Sequence, residues 1–323
     1  MINLKLEDIN IEKKLNIVFM GTPEFSVPAL EGLIKNYNVK AIVTQPDKIN
    51  GRNNKITYSP IKQVGIDNTI LVLQPKSIKE EYNQILELDP DLIITCAYGQ
   101  ILPDELLNYP RLGCINVHAS LLPKLRGGAP INRAIMEGYS KTGITIMYMD
   151  SKMDAGDIIE QEEIPILDTD TYKTLHDKLK ILGRDLLLSS LPKIIEGTND
   201  RVKQDESLVT YGFIIKKEDE RIDFSKKRRQ IINLIRGLND KPGAYCYFEG
   251  KVLKVYDAYI TDNNVSGFDG EITKIYKDGI GVKVSNGEIV LTLVKEEGKN
   301  IMSAKDYVNG LKNKDELVGK ILD

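Results

Sequence analysis

The chain lacks most of the features that mark membrane, secreted and metal-bearing proteins. It has no tryptophan, only three cysteines and only two histidines in 323 residues. Cys96, Cys114 and Cys246 are odd in number, lie far apart and form no Cys-x-x-Cys pair. That spacing argues against both a disulfide framework and a zinc site. Cys96 and Cys114 sit in apolar runs and read as buried free thiols, which suits a reducing cytoplasm. No apolar run approaches the ~20 residues that span a bilayer. The opening stretch, Met1-Ile2-Asn3-Leu4-Lys5-Leu6-Glu7-Asp8, is too acidic and too weakly apolar for a secretory signal. There is no P-loop, and no Gly-x-Gly-x-x-Gly follows the first apolar run. Gly21-Thr22-Pro23-Glu24-Phe25-Ser26 has one glycine and a proline where a dinucleotide needs close backbone approach, so NAD binding and nucleotide hydrolysis are disfavoured.

What remains is an ordinary globular balance, 41% hydrophobic and 28% charged, with a net charge of −3. The length fits two domains of roughly 150 residues. Residues 1–15 read as an appendage. From Asn16 onward, short apolar runs alternate with segments of helical spacing. Asn16–Met20, Val39–Thr44, Leu71–Leu73, Asp91–Cys96, Gly113–His118 and Gly143–Met149 read as strands. Ser26 is a candidate cap for the helix after the first strand. The pattern predicts an α/β unit over 16–196: a Rossmann-like, mostly parallel, doubly wound sheet closed by a helix over Tyr172–Glu196. The polar stretch Gln45–Tyr58 is long for a βα loop. Residues 197–211 read as a linker. Over 212–323 the period changes to short alternating strands, Ala244–Phe248, Val252–Ile260, Glu271–Tyr276, Gly281–Val284 and Glu288–Val294. Turn residues separate them, predicting a small OB-like β-barrel. The basic run Lys226-Lys227-Arg228-Arg229 reads as a solvated helix face.

Chemistry concentrates in Asn116-Val117-His118-Ala119-Ser120-Leu121-Leu122-Pro123. An amide and an imidazole there emerge together near the carboxyl end of a strand, the edge where open α/β sheets bind ligands. Asp154 follows the strand Gly143–Met149 in the turn Met153-Asp154-Ala155-Gly156-Asp157. If the two strands are close, Asn116, His118 and Asp154 converge. Asn116 can then donate to a carbonyl becoming an oxyanion, His118 can move protons near neutral pH, and Asp154 can orient the imidazole. No Gly-x-Ser-x-Gly nucleophile accompanies them, which suits direct acyl transfer to an amine. Each residue also has a plain structural role: a histidine at a strand end is more often structural than catalytic, and aspartate is common in turns.

These segments together resemble the methionyl-tRNA formyltransferase family. Ile17-Val18-Phe19-Met20-Gly21-Thr22-Pro23-Glu24-Phe25 is similar to the family's first strand and turn. Asn116–Pro123 with Arg126-Gly127-Gly128-Ala129-Pro130-Ile131, and Met153–Ile158, are similar to its two motifs. Thr44-Gln45-Pro46-Asp47-Lys48, Gly51-Arg52 and Ser59-Pro60 are similar to its tRNA-contacting loop. Lys217–Phe224, Ile235–Asn239 and Pro242–Tyr245 are similar to its C-terminal domain.

The resemblance implies catalytic roles for Asn116, His118 and Asp154, and a folate site lined by Ser120, Leu121, Leu122 and Pro123. It implies tRNA contact through Arg52, with Lys48 and Lys55 nearby, and through the C-terminal β domain. The reaction implied is formyl transfer from 10-formyltetrahydrofolate to the α-amine of initiator methionyl-tRNA, with no metal, no membrane and a monomeric enzyme in the cytoplasm. A sugar-nucleotide formyltransferase is the alternative, and would need neither the Gln45–Tyr58 loop nor the β domain. A nucleic-acid-binding protein with a relic catalytic domain, or a hydrolase releasing formate, are further readings. An intact Asn116, His118 and Asp154 set argues against the first of these.

Overall fold

Ile17-Val18-Phe19-Met20-Gly21 is apolar throughout, which fits a strand covered on both faces. A computed structural model of the chain describes residues 15–50 and 55–323, so almost all of the N-terminal appendage lies outside the described residues. The chain divides into two compact units. Of the described residues, the first holds those up to Pro130 with Thr142–Ile164 and His176–Tyr211; the second holds Ile131–Lys141, Pro165–Leu175 and Gly212–Asp323.

The first unit is built on β1 (Ile17–Gly21), β2 (Val39–Val43), β5 (Leu71–Leu73), β6 (Leu92–Cys96), β7 (Cys114–His118), β8 (Lys141–Tyr148) and β9 (Ile158–Pro165). Their order in the sheet is β5-β2-β1-β6-β7-β8-β9. β5, β2, β1, β6 and β7 are parallel neighbours, and β8 runs antiparallel to β7. The mostly parallel doubly wound sheet is therefore present, with a reversed strand toward one side, as mixed α/β sheets often have. β9 carries Glu160, Gln161, Glu162 and Glu163 and does not read as a strand in the sequence. It ends the sheet order, where charged side chains on an edge strand face water. β3 (Lys48–Asn50) and β4 (Lys55–Thr57) pair as a separate hairpin inside the long polar loop.

Helix α1 (Val27–Asn36) follows β1, and α2 (Pro60–Asp67) follows the hairpin. Ser26 does not cap α1. It already has helical dihedrals in a preceding 3-10 turn, and capping needs an extended residue; its hydroxyl instead donates to the Cys96 carbonyl at 2.5 Å. Residues 197–211 are not a free linker. Val202 pairs with Ile158 and Arg126 with Tyr211, because their polar groups find backbone and side-chain partners on the first unit. Among the described residues no helix is long and apolar enough to cross a membrane.

The second unit contains β10 (Ala244–Phe248), β11 (Lys251–Ile260), β12 (Ile272–Ile275), β13 (Ile280–Val284) and β14 (Gly287–Glu296). They form an antiparallel sheet in the order β10-β11-β14-β13-β12, with β15 (Met302–Ser303) on β14. Val255, Val282, Ile289 and Leu291 form its core with Ile231 and Ile235 from the helix Arg228–Gly237. The basic run at the start of that helix is only partly solvated. Arg228 donates to the Thr261 carbonyl and Arg229 pairs with Asp168. All three thiols are buried, and that burial pushes each pKa up to about 12.

Candidate active site

Side chains alternate across a strand, so Ile115 and Val117 point to one face of β7 while Cys114, Asn116 and His118 point to the other. The helix Tyr172–Glu196 covers the first face at Gly183. A Cβ there would stand 3.1 Å from Val117 Cγ1, so the helix lies tight against the strand at this glycine. The second face carries the polar residues. Thr95 of β6 lies in register with Asn116 and donates its hydroxyl to Asn116 Oδ1 at 2.8 Å. The amide oxygen is thereby engaged. Asn116 is half-buried, and among the described residues no acceptor meets its Nδ2.

His118 is 5% exposed. Its Nε2 lies 3.1 Å from the Leu125 carbonyl oxygen. A carbonyl only accepts, so Nε2 carries the ring hydrogen and Nδ1 holds the lone pair in the neutral form. Nδ1 faces Asp154 Oδ2 at 3.7 Å, inside ion-pair range and too long for a hydrogen bond. The firm bond to that carboxylate comes from the Gly127 amide at 2.8 Å.

Asp154 reaches this cluster by a route that the sequence does not mark. β8 runs opposite to β7, pairing Thr145 with His118 and Tyr148 with Ile115. The chain therefore leaves β8 beside the start of β7, and Met149 N donates to the Cys114 carbonyl. The turn after β8 must fold back over the sheet face to bring Asp154 to His118. It does so with Asp154 at φ +50°, a left-handed conformation that aspartate tolerates better than most residues. Gly156 makes the fold possible: a Cβ there would lie 2.0 Å from the Tyr148 carbonyl oxygen.

Three residues that sequence reasoning missed hold these pieces. Arg126, 4% exposed, donates to Gln204 Oε1 from Nε and Nη2 at 3.0 and 2.9 Å, and to Glu206 at 2.8 Å. The Arg126 bond holds the Glu206 carboxyl below its usual range. Gln204 in turn donates to the Asp154 and Gly156 carbonyls, both at 2.8 Å. Arg126 had a signal, the Arg-Gly-Gly after Pro123; Gln204, in a polar segment with no periodicity, had none. Thr145 is the third. It donates to the Ser120 carbonyl at 2.6 Å and accepts from Leu122 N at 3.1 Å, pinning the loop after β7 to β8.

The four residues expected to line a folate site differ in what they offer. Ser120 and Leu122 are buried, and the Ser120 hydroxyl donates to the Lys124 carbonyl at 2.6 Å. Leu121 and Pro123 are half-exposed. Of the residues expected to meet tRNA, Lys48 is exposed at the start of β3 and Lys55 begins β4, while Arg52 lies outside the described residues. A cavity of about 380 Å³ in the same unit, lined by Arg111, Cys114, Tyr148 and Arg201, contains none of the residues singled out for chemistry.

Residues 14–191 match the formyl transferase family, and residues 214–312 match the formyl transferase C-terminal domain. The methionyl-tRNA formyltransferase of Staphylococcus aureus (strain MW2) is 48% identical over 309 residues, covering 95% of this chain and 99% of its own. That of Geobacillus sp. (strain WCH70) is 49% identical over 300 residues, covering 92% and 94%.

The chain belongs to the methionyl-tRNA formyltransferase family.

Solved structures extend the likeness in fold alone. An N-formyltransferase from Helicobacter canadensis, in complex with folinic acid and dTDP-3-aminofucose, is 20% identical with a TM-score of 0.66, covering 86% of this chain and 98% of its own. HypX from Aquifex aeolicus, in complex with tetrahydrofolic acid, is 17% identical with a TM-score of 0.61, covering 92% of this chain and 47% of its own. The cluster at β7 holds one engaged amide, one buried imidazole and one carboxylate beside it.

Proposed function

We propose that this formyltransferase moves the formyl group of 10-formyltetrahydrofolate to the α-amine of initiator methionyl-tRNA, in the cytoplasm and as a monomer. The observation that carries the reading is the pairing on β7. Asn116 is held by its oxygen with Nδ2 unmet, two residues from a buried histidine that faces a carboxylate.

The attacking amine must be neutral. Its nitrogen forms a bond to the formyl carbon, whose oxygen gains charge, and the bond from that carbon to the folate nitrogen then breaks. Asn116 Nδ2 donates to the developing oxyanion. His118 Nδ1 takes the proton that the amine sheds, and Asp154 stabilises the imidazolium so formed. The proton passes to the departing folate nitrogen, which restores the neutral ring. Leu121 and Pro123 offer an apolar surface suited to a planar pterin, while Ser120 and Leu122 hold the loop that presents them. Lys48, Arg52 and Lys55 meet the tRNA phosphates.

Formyl transfer to charged initiator tRNA, compared between the wild type, His118→Ala and Asn116→Ala, tests the assignment. Each variant is expected to lose ~10²–10³-fold in kcat, as when a donor or proton carrier is removed. Variants at wild-type rate would remove these residues from the chemistry. Formylation of an amino-sugar nucleotide in place of any aminoacyl-tRNA would overturn the substrate.

A further inference from the structure

The loop between β2 and α2, residues 45–58, is closed at its base by two layers of polar contact. In the first, the Thr44 and Ser59 hydroxyls meet at 2.8 Å, and Ser59 Oγ also accepts from Lys62 N at 3.0 Å, capping α2. The second layer centres on Lys62, whose side chain is 16% exposed. Its Nζ donates to Asp47 Oδ2 at 2.6 Å and to Gln74 Oε1 at 2.8 Å. Gln74 Nε2 closes the ring by donating to Asp47 Oδ1 at 2.8 Å and to the Gln45 carbonyl at 3.0 Å. The Tyr58 ring lies against Lys62, 4.1 Å from Nζ to its centroid.

The placement of these residues along the chain gives the cluster its meaning. Asp47 immediately precedes β3, and Tyr58 immediately follows β4. Lys62 thus grips both limbs of the hairpin one residue outside its paired strands, from a helix that is itself packed on the sheet. None of these residues belongs to the Asn116, His118 and Asp154 cluster. These bonds tie Asp47 and Tyr58, the residues that flank the two paired strands, to one side chain of α2.

We propose that Lys62 is a positioning residue for the tRNA substrate: by joining Asp47, Gln74 and Tyr58 it fixes the angle at which the paired strands β3 and β4 leave the sheet. The proposal rests on the reading of this loop as a tRNA contact. Preorganisation of this kind lowers the ordering cost of binding without touching the chemical step. Its signature is therefore a change in KM for tRNA with kcat preserved.

The test compares wild type, Lys62→Met, which keeps the apolar stem and loses the donors, and Lys62→Arg, which restores charge and donors. Three quantities are read: KM for initiator methionyl-tRNA, KM for the formyl donor with kcat, and the rate at which trypsin cuts after Lys48 or Lys55 in the native protein. Lys62→Met is expected to raise the tRNA KM and the cleavage rate by about tenfold each, the order of one lost charged hydrogen-bond contact. Donor KM and kcat stay within about twofold, and Lys62→Arg recovers part of both losses. Unchanged cleavage overturns the clamp, and faster cleavage with an unchanged tRNA KM overturns its role in positioning substrate. Parallel losses in kcat, donor KM and melting temperature also overturn it, because they indicate general destabilisation. A wild type that formylates no tRNA overturns instead the functional reading beneath the proposal, and the cleavage rate then decides the clamp alone.

Discussion

Asp154 does two jobs that a single substitution separates. Its carboxylate accepts from Gly127 N and so holds the loop after β7, and its charge lies 3.7 Å from His118 Nδ1. Asparagine keeps an acceptor for Gly127 and tolerates φ +50° as readily. Asp154→Asn is therefore expected to leave stability within about 1 kcal/mol. It is expected to lower kcat ~10²-fold or more, because the imidazolium loses its counter-charge. A variant with wild-type kcat would reduce Asp154 to a turn residue. At this scale the sequence was informative where a residue type is rare or its neighbours distinctive. Two histidines in the whole chain, and asparagine two places before one of them, marked the β7 pair. Thr95 and Gln204 were not legible. Each acts through a partner 21 or 50 positions away, and nothing local distinguishes such a residue from an ordinary polar one; Arg126 was marked only by the Gly-Gly that follows it.

At the scale of elements, apolar runs located the buried strands, because a strand covered on both faces must be apolar along its length. The same rule hid β9, whose side chains are largely exposed. It gave no direction for β8 either, since strand polarity depends on the connection and not on composition. β14 of the second unit shows how a charge enters a strand core. Glu288 is 1% exposed and accepts from Thr273 Oγ1 at 2.5 Å, Tyr276 Oη at 2.7 Å, and Thr261 Oγ1 and Asn263 Nδ2 at 3.0 Å each. Burial raises its pKa, and these donors more than offset that, so the carboxyl titrates below its ordinary 4.5. A lowered folded-state pKa contributes stability that is complete above the unfolded value and is lost as pH falls through the folded one. Glu288→Gln is expected to cost about 1–3 kcal/mol at pH 7, since the carboxamide sets donors against donors. That gap should narrow below pH 4.5 as the wild-type carboxyl protonates. Urea unfolding at pH 7 and pH 3 checks both; a gap that is equal at the two values would assign the loss to shape and not to charge.

At the scale of the whole molecule, a protein of net charge −3 must bind a polyanion through local patches. Part of the basic inventory is already committed: Arg228 to the Thr261 carbonyl, Arg229 to Asp168, and Lys62 to Asp47. Lys48 is exposed on the hairpin. Each phosphate contact releases counterions, so the logarithm of tRNA affinity is expected to fall linearly with the logarithm of salt, by roughly 0.7–0.9 per contact. Lys48→Ala should make that slope shallower by about one contact. Filter binding or fluorescence anisotropy across a several-fold salt range measures it, and a flat line would refute the phosphate contacts.

Residue types and their periods determined the α/β unit and the change to short alternating strands after residue 211, while the three side chains on which the proposed chemistry turns were marked by the resemblance of their motifs to a known family. The first two follow from local rules, namely burial on two faces and the alternation of strands. Tertiary structure alone decided that β8 runs against β7, that Gly156 lets the following turn fold back over the sheet, that residues 197–211 supply the glutamine bracing Asp154, and that Lys62 grips both limbs of the hairpin. Each joins residues far apart in the chain, and which polar group meets which is fixed only when the sheet has formed and the buried donors must find acceptors.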